Sequence, residues 1–79
     1  MEEDFFDKKE RFVSALENYL NDGDKEKLIN KMNEFKEDEV LMSKELIKNI
    51  NEEILKYLDE LSRKDLKQRI LLVKSYLGD

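Results

Sequence analysis

Apolar residues recur along this chain at helical spacing. Between residues 4 and 20, Phe5, Phe12, Val13, Leu16, Tyr19 and Leu20 share about a third of a turn when each residue advances the helical wheel by about 100°. The spacing predicts a first helix over about 4–20. Asn21-Asp22-Gly23-Asp24 interrupts it. Gly23 suits the left-handed conformation that ends a helix, and Asp24 or Asp22 can accept the free N–H groups that open the next one. A second helix is predicted over 25–36, with Leu28, Met32 and Phe35 in line and Ile29 on the flank.

The pattern lapses over Lys36-Glu37-Asp38-Glu39, which holds no apolar residue. Running the next helix backwards through this stretch would aim Leu41 at solvent. A break before Ser43 is therefore expected, with Ser43 as N-cap and Met42 and Ile47 as its hydrophobic staple. The alternative is one unbroken helix over 25–61. From 44 to 61 the apolar residues Leu46, Ile47, Ile50, Ile54, Tyr57, Leu58 and Leu61 lie within about 120° of the wheel, opposite Glu45, Lys48, Glu52, Lys56 and Asp59. Ser62-Arg63-Lys64-Asp65 then has the form of a capping box, with Leu61 and Leu66 placed as a staple. The last helix is predicted over 63–77 on Leu66, Ile70, Val73 and Leu77, ended by Gly78. Short connections favour antiparallel neighbours. The expected fold is all-α, a small antiparallel four-helix bundle in a single domain over 1–79. The alternative is a three-helix bundle containing the long helix 25–61.

Composition supports a folded chain. Leu, Ile, Val and Phe make up 24 of 79 residues, enough to build a core although 44% of the residues are charged. A single core of this size rarely contributes more than about 3–5 kcal/mol without a staple. Cys and His are both absent, which removes disulfides and structural zinc. Either the helices pack closely or a partner chain completes the core. The longest apolar run, Ile70 to Val73, falls far short of the roughly 18 residues of a membrane span. The acidic start Met1-Glu2-Glu3-Asp4 is unlike the basic start of a signal peptide, so a soluble, cytoplasmic protein is expected. Abundant Lys and Glu with one glutamine, Gln68, match thermophile composition, although an AT-rich genome would give the same Lys, Ile and Asn excess.

The same absences exclude a cysteine nucleophile, a haem ligand and a Ser-His-Asp triad. Glu52-Glu53, Asp59-Glu60 and Glu37-Asp38-Glu39 offer paired carboxylates, but on or beside polar faces where acids stay solvated. An inward Glu-x-x-His pair for a di-iron bundle cannot be formed. Asn21-Asp22-Gly23-Asp24 has its glycine too early for a calcium loop and no Glu at the twelfth position. No Gly-rich phosphate loop occurs. One segment, Ile50 to Leu58, resembles a helix of the small chorismate mutases in its apolar spacing. Leu46 and Leu61 stand where that family carries its two flanking arginines, so the resemblance implies no shared activity. No catalytic residue, cofactor or metal is expected.

Charge changes the picture more than any motif. The chain carries a net −5, yet residues 1–61 hold 18 acids and 10 bases, whereas residues 62–77 hold five bases and the single acid Asp65. Arg63, Lys67 and Lys74 form a stripe beside the apolar face of the last helix. They are candidates either for phosphate contact or for pairing with acids of neighbouring helices. Leu71 and Leu72 fall about 100° to either side of that face and Tyr76 beyond its edge, while Phe6 and Leu55 lie off the stripes of their own helices. A helix apolar on several sides is central in a bundle or shared between chains. These residues predict a non-catalytic, acidic helical protein–protein interaction module, an accessory subunit of a larger, nucleic-acid-processing complex or a homodimer. Leu71, Leu72 and Tyr76 are its expected anchors, and Arg63, Lys67 and Lys74 steer the partner. The alternative is direct nucleic-acid binding through the basic last helix.

Overall fold

Residues 4–77 are described by a computed structural model. Along the chain come α1 (Phe5–Asp22), α2 (Lys25–Lys36), α3 (Glu39–Met42), α4 (Glu45–Tyr57), a 3-10 turn (Leu58–Glu60) and α5 (Arg63–Ser75). No strand occurs among the described residues, and the fold is all-α. Short polar side chains start most of the helices by accepting N–H groups that a helix start leaves free. Asp4 accepts from Asp7, Asp24 from Lys27, and Asp38 from both Val40 and Leu41. Ser62 and Asp65 form the expected reciprocal capping box, at 3.1 Å and 3.0 Å. Gly23 ends α1 at φ +66°, a left-handed conformation in which its N–H bonds the Tyr19 carbonyl.

The stretch after α2 departs from expectation. Instead of a plain break there is a one-turn helix, α3, whose start is fixed by Asp38. This turn rotates Leu41 fully into the core, while Val40 stays exposed. Ser43 is not the N-cap of the next helix. It closes α3, and its hydroxyl donates to the Val40 carbonyl at 2.7 Å. Lys44 stands at the start of α4 with no side-chain cap bond. The unbroken helix over 25–61 is likewise absent, since the chain leaves helical geometry at 37–38 and again at 43–44.

Two helix ends also move. The 44–61 segment is α-helical only to Tyr57 and then tightens into the 3-10 turn. The last helix stops at Ser75, and Tyr76 is already extended. Lys9 accounts for the earlier stop by donating to the carbonyl oxygens of Tyr76 (2.6 Å) and Lys74 (3.4 Å), acceptors that a helix end leaves open to a cation. Leu77 therefore lies beyond the helix, 79% exposed, rather than on the buried face. Gly78 lies outside the described residues.

α1 packs against both α5 and α2, and α2 against α4. Phe12 and Leu16 of α1, Met32 of α2, Ile47 and Ile54 of α4 and Leu66 of α5 are almost wholly buried between them. The radius of gyration, 11.7 Å, matches the value of about 12 Å for a folded chain of this length. Among the described residues one polar side chain is fully buried in the core, Asn51 of α4. Its Nδ2 donates to the Met32 carbonyl at 3.0 Å, while its Oδ1 has no partner. None of the helices among the described residues is long and apolar enough to cross a membrane.

Candidate interaction surface

α5 is placed by two local features. The capping box fixes its first turn, and Leu66, Ile70 and Val73 fix its rotation by entering the core. That rotation sends Leu71 and Leu72 outward, where they remain 64% and 51% exposed. Between them on the outward face are Gln68 and Ser75, both exposed and uncharged. Two turns of this helix thus show water a strip free of charge.

The expected anchors and cations divide into separate groups. Tyr76 is half-buried rather than free. Its ring meets Phe5 edge-on at 6.1 Å, and its carbonyl holds Lys9. Lys74 pairs with Glu17 of α1 at 3.0 Å. Arg63 donates from Nη1 to the Leu20 carbonyl at 2.7 Å, at the C-terminal end of α1. Lys67 is exposed and pairs with none of the described residues. Phe6 at the start of α1 is also exposed, with Lys9 over its ring at 5.3 Å, whereas Leu55 packs partly against the core.

An open groove of about 710 Å³ runs between the C-terminal part of α1 and the first turns of α5. Leu20 and Leu71, with the largely buried Ile70, give it apolar surface, Arg63 and Lys67 give it positive charge, Glu17 gives it one carboxylate, and Asn18 and Asn21 add amides. Three candidate residues, Arg63, Lys67 and Leu71, therefore converge here. Leu72, on the other side of the outward strip, and Tyr76, beyond the end of α5, do not line the groove. The α1 wall was not foreseen in the sequence. Its signal was available in Ser14, Asn18 and Asn21, three uncharged polar positions in line on the exposed face of α1.

The remaining basic residue of α5 with a defined partner is Arg69. It forms a bidentate pair with Glu53 of α4, both bonds 3.0 Å. Hydrogen bonding to Glu53, opposed by desolvation and aided by the charges of Glu53 and Asp65, raises the guanidinium pKa above its ordinary value. The Asp65 carboxyl is held below its ordinary value by the Ser62 backbone N–H and hydroxyl. At Asp38, desolvation pushes the carboxyl up. The Leu41 N–H, the Lys8 ammonium at 3.2 Å and the Val40 N–H outweigh it, and the net shift is downward. All three shifts arise from contacts that hold helix ends or join helices. Among the described residues, no group of three or more His, Cys, Asp or Glu side chains could hold a metal ion.

Compared with known proteins, the chain matches no family model, no curated protein and no solved structure.

Proposed function

We propose that the chain is a non-catalytic protein–protein interaction module, a small antiparallel four-helix bundle that docks a protein partner along the outward side of α5. One observation carries this reading. In a molecule with 44% charged residues, α5 leaves Leu71 and Leu72 exposed across a strip without charge. Exposed apolar side chains rimmed by charged ones have the anatomy of a binding patch. Leu71 and Leu72 are the anchors, Tyr76 braces the far end of the strip, and Arg63, Lys67 and Lys74 set the local potential. The acidic remainder suits a cytoplasmic accessory subunit held on a basic surface of a larger, nucleic-acid-processing assembly. Self-association through the same strip is the homodimer form of this reading.

Lys67, which pairs with none of the described residues, and Lys64, whose charge meets only the adjacent Asp65, favour a second reading in which α5 contacts nucleic acid directly. Weighing against it, Lys74 and Arg69 are already committed to Glu17 and Glu53, and the net charge of −5 opposes a polyanion.

Recovery of the native complex from its own cells identifies the partner. A Leu72→Asp variant with unchanged helical content is then expected to bind that partner at least about tenfold more weakly. A folded variant with full affinity refutes the proposed surface. Titration of labelled DNA and RNA at low salt decides the second reading, which falls if no binding is seen.

A further inference from the structure

We infer that the groove between α1 and α5 receives an acidic amphipathic helix from the protein partner. This rests on the interaction-module reading and specifies the chemistry of its partner. The groove combines three features that such a helix needs. Leu71 and the half-buried Leu20, above the buried Ile70, offer apolar surface along about 710 Å³ of open space, room for side chains from one helix face. Lys67 stands on its rim with no carboxylate partner. Arg63 beside it is anchored through the uncharged Leu20 carbonyl, which orients the guanidinium and leaves its charge uncancelled. The one acid in the groove's lining, Glu17, is engaged by Lys74 at 3.0 Å. A positive, partly apolar channel therefore sits on a protein whose net charge is −5. Its charge complements an acidic helix and opposes a basic one.

The dimensions argue against a second copy of the chain as occupant. The uncharged strip from Gln68 to Ser75 spans about 10 Å of helix at about 1.5 Å per residue. A stable interface requires about 800 Å² from each partner, on a molecule whose whole surface is 5357 Å². An antiparallel two-fold pairing along α5 would also set the Lys67 and Lys74 flank of one copy against the same flank of the other. One helix docked in the groove covers Leu71 and the floor beside it without that repulsion. A nucleic acid would leave the apolar floor uncovered.

The test is an NMR titration of the ¹⁵N-labelled protein. The probe is a synthetic peptide of about fourteen residues, with Leu at i, i+3, i+4 and i+7 and Glu on the flanking positions. Parallel arms use the same peptide with Lys in place of Glu, a single-stranded oligonucleotide, and protein dilution without ligand. The acidic peptide is expected to shift the amides of Leu20, Arg63, Lys67 and Leu71, and to bind roughly tenfold more tightly than its basic twin. Lys67→Glu reverses that preference. Lys48→Glu makes the same charge change on α4, outside the groove, and leaves the preference intact. No saturable shift, equal affinity for both peptides, tighter binding of the oligonucleotide, or α5 shifts that follow protein concentration alone would each overturn the inference. The module reading fails separately, by a folded Leu72→Asp variant that keeps its native partner.

Discussion

α4 and α5 are each 13 residues long and each contributes one face to the same core. Their outward faces differ. α4 shows Glu45, Lys48, Asn49, Glu52, Lys56 and, at its end, Tyr57 to water, whereas α5 shows the adjacent Leu71 and Leu72 with Gln68 and Ser75, flanked by Arg63, Lys64, Lys67 and Lys74. Their starts differ too. α5 has a complete capping box, and α4 begins at Lys44 without a side-chain cap, relying on the turn of α3 before it. Their interiors differ in a third way: α4 buries Asn51 with one side of its amide unsatisfied, while the buried residues of α5 are all apolar. Burial determines the fold and is satisfied by both helices. Packing leaves the outer positions unconstrained, so two adjacent leucines exposed on α5, where α4 exposes no aliphatic side chain, point to a demand from outside the bundle.

The contrast can be broken most forcefully from inside. Ile54→Ala in α4 and Leu66→Ala in α5 each remove a fully buried side chain and are expected to cost about 2–4 kcal/mol in urea denaturation. A much smaller loss for Leu66→Ala would mean that α5 is loosely held in the isolated chain and that the two helices are not equivalent parts of one core.

Next in size is Asp38→Ala, which removes the cap of α3 and the Lys8 contact. It should lower stability by about 1–2 kcal/mol near neutral pH, disturbing the uncapped α4 more than the self-capped α5. The folded-state pKa of Asp38 is depressed. Its contribution is therefore full above the ordinary carboxylate pKa of about 4 and disappears as pH falls through the lower folded value. The difference between wild type and variant should close in strongly acidic solution, as read from urea midpoints across the pH range.

Asn51→Leu tests the third difference. Replacing a half-satisfied buried amide by an apolar group of similar shape should raise stability by about 1 kcal/mol, because an unpaired buried polar atom costs about 1–3 kcal/mol. The smallest effect is expected at the outer strip. Leu71→Glu and Lys48→Glu, one from each outward face, should both change stability by less than about 0.5 kcal/mol. A large loss at Leu71 would show that the strip serves folding rather than recognition.

Much of this architecture was legible in the chain itself. The α1–α2 turn at Gly23 and Asp24 and the Ser62–Asp65 box were readable because each depends on groups two to four residues apart. The solvent-facing positions of Leu71 and Leu72 followed from helical period alone. α3 was not legible, because a one-turn helix is too short to leave a periodic signal, and its cap Asp38 lay within a run of charges. The groove wall on α1 was hidden for a different reason: Leu20 already belonged to an apolar stripe, and only packing decided that part of it would border an opening.

The amino-acid order thus determined the all-α class, most helix starts and the outward direction of the α5 leucines, since backbone geometry and periodicity operate over one or two turns. Tertiary structure decided which cations are cancelled. Lys74 lies 57 positions from Glu17, Lys8 lies 30 from Asp38 and Arg69 lies 16 from Glu53. It also decided that Asn51 is buried, that Lys9 ends α5 early, and that Lys67 remains unpaired beside an apolar groove. Such pairings depend on how helices distant along the chain come to lie side by side, a geometry that no local spacing encodes.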